Sequence, residues 1–374
     1  MAHKITKPFL SFFAIGAVSA AFAEQEYEVV NIGNLPGLSF GRAAAINNNN
    51  VVVGWSYSQG IHTGFRWSEG QSMENMNVWG KDDYTITDIN DEGIIVGSFT
   101  ENGHTKGFRH WSPGPGVHAL WYNEPTNWFQ DSQTFGINNQ GHMVGNMGLQ
   151  QNNRHAAGWT IQFGGFMIPG YANGESSQAS SINEANTTSG YAYVNGVQRA
   201  TLFYNNQTVQ DLHASINGAA HSTAGKINDQ GSAVGIFRGQ DNNTWSFIFN
   251  PELGTETFSN VAGYQDMNFT SIANSGVVVG YGNSNRASLG HQAVRWTQNT
   301  GLVDLNSLID QNSGWDLDEA YDVNENGYIV GSGKFNGATS NYMLKPVPEP
   351  ASILGLAIGC FAVLNRRRKA KRKS

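Results

Sequence analysis

The sequence predicts an all-β protein, a seven-bladed β-propeller built from four-stranded repeats of about 45 residues. The first observation behind this is a recurring Ile-Asn pair. It stands at Ile46-Asn47, Ile89-Asn90, Ile137-Asn138, Ile182-Asn183 and Ile227-Asn228, with Ile272-Ala273 and Val323-Asn324 as variants. The second is a glycine seven residues after the Asn position in all seven cases: Gly54, Gly97, Gly145, Gly190, Gly235, Gly280 and Gly331. The third is composition. Gly (45) and Asn (41) are abundant, 11% of residues are aromatic, and no long helical period runs through the chain; Gly and Asn accept the positive φ that tight turns need.

Each repeat reads as four short strands. The first leads into the Ile-Asn pair, as in Thr85 to Asn90. A tight turn follows, often with Gly three after the Asn position: Gly93, Gly141, Gly231, Gly276 and Gly327. A Val/Ile run then ends in the second glycine, as in Val277 to Gly280. Asn-x-x-Gly between apolar runs is a hairpin signal. The third strand ends in aromatics: Gly64 to Trp67, Phe108 to Trp111, Ala156 to Trp159, Leu202 to Tyr204, Ser246 to Phe249 and Ala293 to Trp296. The fourth is seen at Met73 to Val78, Val209 to Leu212 and Leu302 to Leu305. Leucine-rich and β-helix coils are shorter, and TPR or HEAT repeats need a helical period.

The phase of the repeats predicts how the ring closes. Tyr342 to Leu344 is a third-type strand with no fourth strand after it, and Tyr27 to Gly33 looks like a fourth strand with no repeat before it. Tyr27–Gly33 is therefore expected to complete the seventh blade and protect its edge.

Both ends carry signals. Lys4 and Lys7 precede the apolar run Phe9 to Ala20, and Ala21-Phe22-Ala23 fits a small-x-small cleavage site, so residues 1–23 read as a signal peptide and the body begins at Glu24. At the other end, in segment 346–374, Val347-Pro348-Glu349-Pro350 precedes 14 uncharged, mostly apolar residues, 351–364. Seven cations then fall within 366–373, led by Arg366, Arg367 and Arg368. A 14-residue helix spans only about 21 Å, less than the roughly 30 Å hydrocarbon core. The cations after it nevertheless mark a cytoplasmic flank and orient the chain N-out, C-in.

The order Pro-Glu-Pro, apolar run, basic tail over residues 347–373 resembles the PEP-CTERM sorting signal. The resemblance implies recognition by an exosortase-type membrane enzyme in a Gram-negative, exopolysaccharide-making bacterium. It also implies a transient membrane anchor processed at the Pro-Glu-Pro, and a destination at the cell surface or extracellular matrix. The body, over roughly 28–345, resembles the extracellular HAF-repeat proteins through Ile-Asn-x-x-Gly-x-Val-Val-Gly and the aromatic strand that follows. Its His-Ala-Phe core is degenerate: His155-Ala156-Ala157 and His291-Gln292-Ala293 come nearest, while Thr63-Gly64-Phe65 and Lys106-Gly107-Phe108 depart from it. That family brings no assigned activity.

Composition narrows the function further. The net charge of −7 conceals a body, residues 24–346, with 13 Lys+Arg against 28 Asp+Glu, a net of −15. An acidic body argues against nucleic-acid binding through a basic face. The single cysteine, Cys360, lies in the tail, so no disulfide holds the propeller domain (24–345) together.

Catalytic motifs are lacking: there is no His-Glu-x-x-His, phosphate-cradling loop or Gly-x-Ser-x-Gly. Asp88 to Gly93 and Asp322 to Gly327 resemble the start of a Ca²⁺ loop, but the position of its final bidentate Glu holds Phe99 or Gly333. The expected role of these turns is structural, with Asn as cap and Gly at positive φ, and Ca²⁺ is the alternative. His62, His104, His155 and His291 fall at similar places in four repeats, so a ring would spread them apart. The loops entering each first strand carry aromatics: Phe40, Trp79, Tyr84, Trp128, Phe129, Tyr171, Tyr264 and Trp315. Trp79, Trp128, Tyr171, Tyr264 and Trp315 are the candidate ligand-binding residues; they would either stack on sugar rings or pack between blades. The sequence thus favours binding or a structural role with exopolysaccharide over catalysis. The alternative is a polysaccharide hydrolase or lyase, marked by two carboxylates in a polar axial pocket.

Overall fold

In a computed structural model, the described residues are 27–38, 40–76, 82–111, 117–119, 131–148, 154–160, 164–169, 175–205, 208–240, 242–284 and 290–347. The signal peptide with Ala21 and Ala23, and the sorting tail from Pro348 on, lie outside them; of that motif only Val347 is described. Among the described residues no helix is long and apolar enough to cross a membrane.

They form seven four-stranded antiparallel sheets, six of them meanders in chain order. Blade 1 runs Phe40–Ile46, Val52–Ser58, Ile61–Trp67, Glu74–Asn75. Blades 2 to 7 begin with inner strands Asp82–Ile89, Asp131–Ile137, Ser177–Ile182, Ala219–Ile227, Tyr264–Ile272 and Trp315–Val323. Inner strands of neighbouring blades touch all around the ring. The expected strands are present, and the third strands extend further back than expected: Ile61–Trp67 and Val197–Phe203 are examples.

Closure occurs as the phase predicts. Tyr27–Gly33 is the outer strand of blade 7, antiparallel to Ala338–Pro346, with Tyr27 opposite Pro346 and Val29 opposite Leu344. One blade therefore joins the two ends of the described chain, and its strand order is Tyr27–Gly33, Ala338–Pro346, Ile329–Phe335, Trp315–Val323.

The core lies between blades as a series of apolar clusters. Ala45, Val53, Tyr84, Ile86, Ile95 and Phe108 join blades 1 and 2, and Val96, Met143, Met147 and Trp159 join blades 2 and 3. A propeller has no single core; each sheet buries both faces against its neighbours, which is why second strands such as Ile94–Glu101 and Met143–Gly148 are buried in runs rather than alternately.

The repeated glycine follows from a bulge. In every blade the pairing between first and second strands slips just before the Ile-Asn position. The extra residue pushes a first-strand carbonyl toward the second strand. A Cβ on Gly97 would lie 2.0 Å from the Thr85 carbonyl oxygen, and one on Gly145 1.8 Å from that of Gln133. All seven of these glycines face such a carbonyl, so no side chain fits there.

Candidate functional site

The bulges also shape the axis. Their extra residues, Ala44, Thr87, Phe135, Ser180, Gly225 with Lys226, Thr270 and Tyr321, all line one axial cavity of about 340 Å³. A second cavity of about 160 Å³ lies on the Ile-Asn side. Lys226 and Asp322 line both, so they stand at the boundary between them.

At that boundary three charged side chains meet. The Lys226 ammonium is 3.1 Å from Asp88 and 4.0 Å from Asp322, which puts the two carboxylates within about 7 Å of each other. Burial opposes the lysine charge, but Asp322 and Asp88 outweigh it and hold the ammonium above the ordinary lysine range. Burial pushes the Asp88 carboxyl up; Lys226 opposes this push and Asp322 adds to it. Each acid also clamps the next blade: Asp88 Oδ2 accepts from the Ile137 amide at 3.1 Å, and Asp322 Oδ2 from the Ile46 amide at 3.0 Å. Asp322 Oδ1 accepts from Ser271 at 2.6 Å. The pair is committed to holding blades together.

Two hydrogen-bonded rings surround the channel mouth beyond Lys226. In the first, the motif asparagine donates its Nδ2 to the backbone carbonyl of the matching residue in the next blade. Asn47 donates to Asn90, Asn90 to Asn138, Asn138 to Asn183, Asn183 to Asn228, Asn228 to Ala273, and Asn324 to Asn47, at 2.9–3.1 Å. Ala273 has no amide to give, so the link from blade 6 to blade 7 is missing from this ring. The Oδ1 of each asparagine caps its own turn by accepting the amide four residues on, as Val51, Ile94 and Tyr328 show at 2.8–3.0 Å. The turn residue at positive φ is Gly in five blades; in blades 1 and 4 it is Asn50 (φ 58) and Asn186 (φ 61).

The second ring uses the residue after the motif asparagine and is unbroken. Asn48 donates its amide N–H to Asp91, Asp91 to Asn139, Asn139 to Glu184, Glu184 to Asp229, Asp229 to Asn274, Asn274 to Glu325, and Glu325 to Asn48, at 2.8–3.0 Å. Sequence reasoning missed this ring, although its signal is plain in retrospect: all seven side chains carry an acceptor oxygen. It also explains the calcium-like spacing. Asp88 points into the channel, Asn90 into one ring and Asp91 into the other, so the loop oxygens do not converge. Among the described residues no group of three or more His, Cys, Asp or Glu is placed to hold a metal ion.

The histidines are spread as expected, and each of three meets an acid on the adjacent inner strand. His62 bonds Asp83, His104 lies 3.4 Å from Asp131, and His291 is 2.6 Å from Glu319. Recurrence at three blade interfaces marks these as blade-to-blade contacts.

The loop aromatics divide. Trp79, Trp128, Phe129 and Tyr171 lie outside the described residues. Tyr84 is buried, stacked on Phe108 at 4.5 Å. Trp315 packs against Phe335 at 5.3 Å and Tyr342 at 5.8 Å. Phe40 is exposed, 6.0 Å from Trp55. Tyr264 is half-buried, its ring seated over Gly282, where a Cβ would meet it at 2.4 Å. Tyr264 also lines a surface groove of about 480 Å³ with Trp245, Asn243, Asn260, Val261, Ala262 and Gln265.

No family model matches the chain, and neither does any curated protein. Solved structures are similar to it in fold. A streptogramin B lyase structure aligns with TM-score 0.55 at 13% identity, covering 86% of this chain and 98% of the other. Selenomethionine-substituted virginiamycin B lyase from Staphylococcus aureus aligns with TM-score 0.53 at 11% identity, covering 87% and 100%. At such identities the likeness concerns the propeller fold alone.

Proposed function

We propose that this protein is an exported binding propeller of the cell surface or extracellular matrix, sorted by an exosortase-type enzyme through residues 347–373, and that it holds exopolysaccharide on its loop face. The observation that carries the binding role is the groove at Tyr264. An aromatic ring fixed on a glycine, beside Asn243, Asn260 and Gln265, offers what a sugar needs: a flat apolar face and amides that both donate and accept. Among the described residues lining that groove there is no carboxylate, histidine or lysine.

The alternative is an enzyme acting on polysaccharide. Asp88 and Asp322, within about 7 Å across Lys226, have the spacing of a glycosidase pair. Their engagement with Lys226, Ser271 and backbone amides counts against it, since a general acid or nucleophile needs an oxygen free for substrate.

The test is retention of the purified protein on exopolysaccharide from the producing organism, with and without Tyr264→Ala. The expected result is binding by the wild type and at least tenfold weaker retention by the variant, with an unchanged melting profile. Equal retention would remove Tyr264 from the site. Release of new reducing ends, lost in Asp88→Asn, would favour the enzyme.

A further inference from the structure

The 340 Å³ axial cavity has a feature that scaffolding does not use. Arg42, on the inner strand of blade 1, lies in its wall with the guanidinium carbon 4.1 Å from the centre of the Tyr321 ring. Among the described residues the guanidinium meets no carboxylate and no hydrogen-bond acceptor. Lys226, in the same cavity, is bridged to two acids. Arg42 is therefore the cation there whose charge is not answered. With Tyr321 covering one face, its N–H edge is the part left for a ligand.

We propose that this cavity binds a single sugar carboxylate, a uronate residue, with Arg42 taking the carboxylate. A guanidinium fork matches a carboxylate in two parallel hydrogen bonds, a geometry an ammonium does not offer. Phe135 and Tyr281, from blades 3 and 6, supply aromatic faces in the same wall, and Asn268, 2.8 Å from the Tyr281 hydroxyl, places an amide beside them. The volume is at the small end for ligand pockets and suits one ring, a chain end rather than a chain passing through. Lys226 and Asp322, which line both axial cavities, bound it on the Ile-Asn side. A body with net charge −15 discourages anions in general, so capture of one depends on this local guanidinium.

This site is separate from the Tyr264 groove; only the choice of a sugar as carrier of the carboxylate rests on the polysaccharide reading. The test is calorimetric titration of the full chain with D-glucuronate, its methyl ester, D-glucose and acetate. The expected result is glucuronate binding at least tenfold tighter than the other three, lost at least tenfold in Arg42→Gln and partly in Arg42→Lys. Equal binding of glucuronate and its methyl ester overturns the proposal without any variant. So does equal binding of acetate, absence of glucuronate binding, or undiminished binding by a folded Arg42→Gln. Polymer retention run alongside separates the two readings: Arg42→Gln should keep what Tyr264→Ala loses. Glucuronate binding by a wild type that retains no polymer would sink the surface reading and leave this one standing.

Discussion

The side-chain amide of Asn324 donates to the backbone carbonyl of Asn47 at 2.9 Å, across 277 positions of sequence. It joins the last repeat to the first with the same bond that links five other pairs of neighbours. Blade 7 thus closes twice, at its outer edge through Tyr27–Gly33 and at the axis through this amide.

The one gap in that ring predicts a stabilising substitution. Ala273→Asn would supply an amide for the Asn324 carbonyl and an Oδ1 for the Val277 amide, as Asn228 does for Ala273 and Ser232. A net gain of about 1 kcal/mol is expected. The reverse change, Asn183→Ala, leaves the Asn228 carbonyl and the Thr187 amide without these partners and should cost about 2 kcal/mol. Chemical denaturation of the two variants checks both signs at once.

The bulge predicts that the repeated glycines tolerate no side chain. Gly97→Ala places a methyl against the Thr85 carbonyl, which is backbone and cannot rotate away. We expect a loss of about 3 kcal/mol or more. Gly103→Ala is the control. Gly103 has open space around it, and its φ of +78° costs an alanine roughly 1–2 kcal/mol. Gly97 itself is not at positive φ, so a loss no larger than that at Gly103 would show that the carbonyl contact does not explain the glycine.

Removing the axial cation should leave two acids facing each other. Lys226→Met is expected to cost about 2 kcal/mol at neutral pH, less than for a fully buried pair because solvent reaches the ammonium through the channel. Adding Asp88→Asn should recover part of the loss. The deficit should also shrink on acidification, as the Asp88 carboxyl, which burial pushes up, takes up a proton. A deficit unaffected by pH would mean the lysine matters through its packing.

Much of this was legible in the sequence because repeats report on themselves. The spacing of Gly54, Gly97 and their counterparts revealed seven units, and the phase of Tyr27–Gly33 revealed the closing strand. The cause of the glycine was not legible, since it depends on a carbonyl displaced by a bulge on another strand. Nor was the Lys226–Asp88 contact, 138 positions apart, which exists only once seven blades set the width of the axis. The amide ring was half legible: the turn cap is local and was expected, while the donor half reaches into the next blade. Among the aromatics, sequence position put Tyr84, Trp315 and Tyr264 in one class. Packing separated them, because only the neighbours decide which rings keep a free face.

The last prediction concerns acidity on the inner strand of blade 7. Burial, with Asp316 and Glu319 nearby, raises the Asp318 carboxyl to about 6, although Lys334, 3.9 Å away, and His291 pull it down. A carboxyl whose pKa is higher folded than unfolded binds its proton more tightly in the native state. Its contribution is therefore present below the ordinary carboxylate pKa of about 4 and is lost as pH rises through about 6. Asp318→Asn holds the neutral form at every pH. The variant should match the wild type near pH 4 and be more stable near pH 8, in thermal melts taken across that window. If the variant instead loses ground at pH 8, the ionised carboxylate is favourable in the fold and its contact with Lys334 outweighs burial.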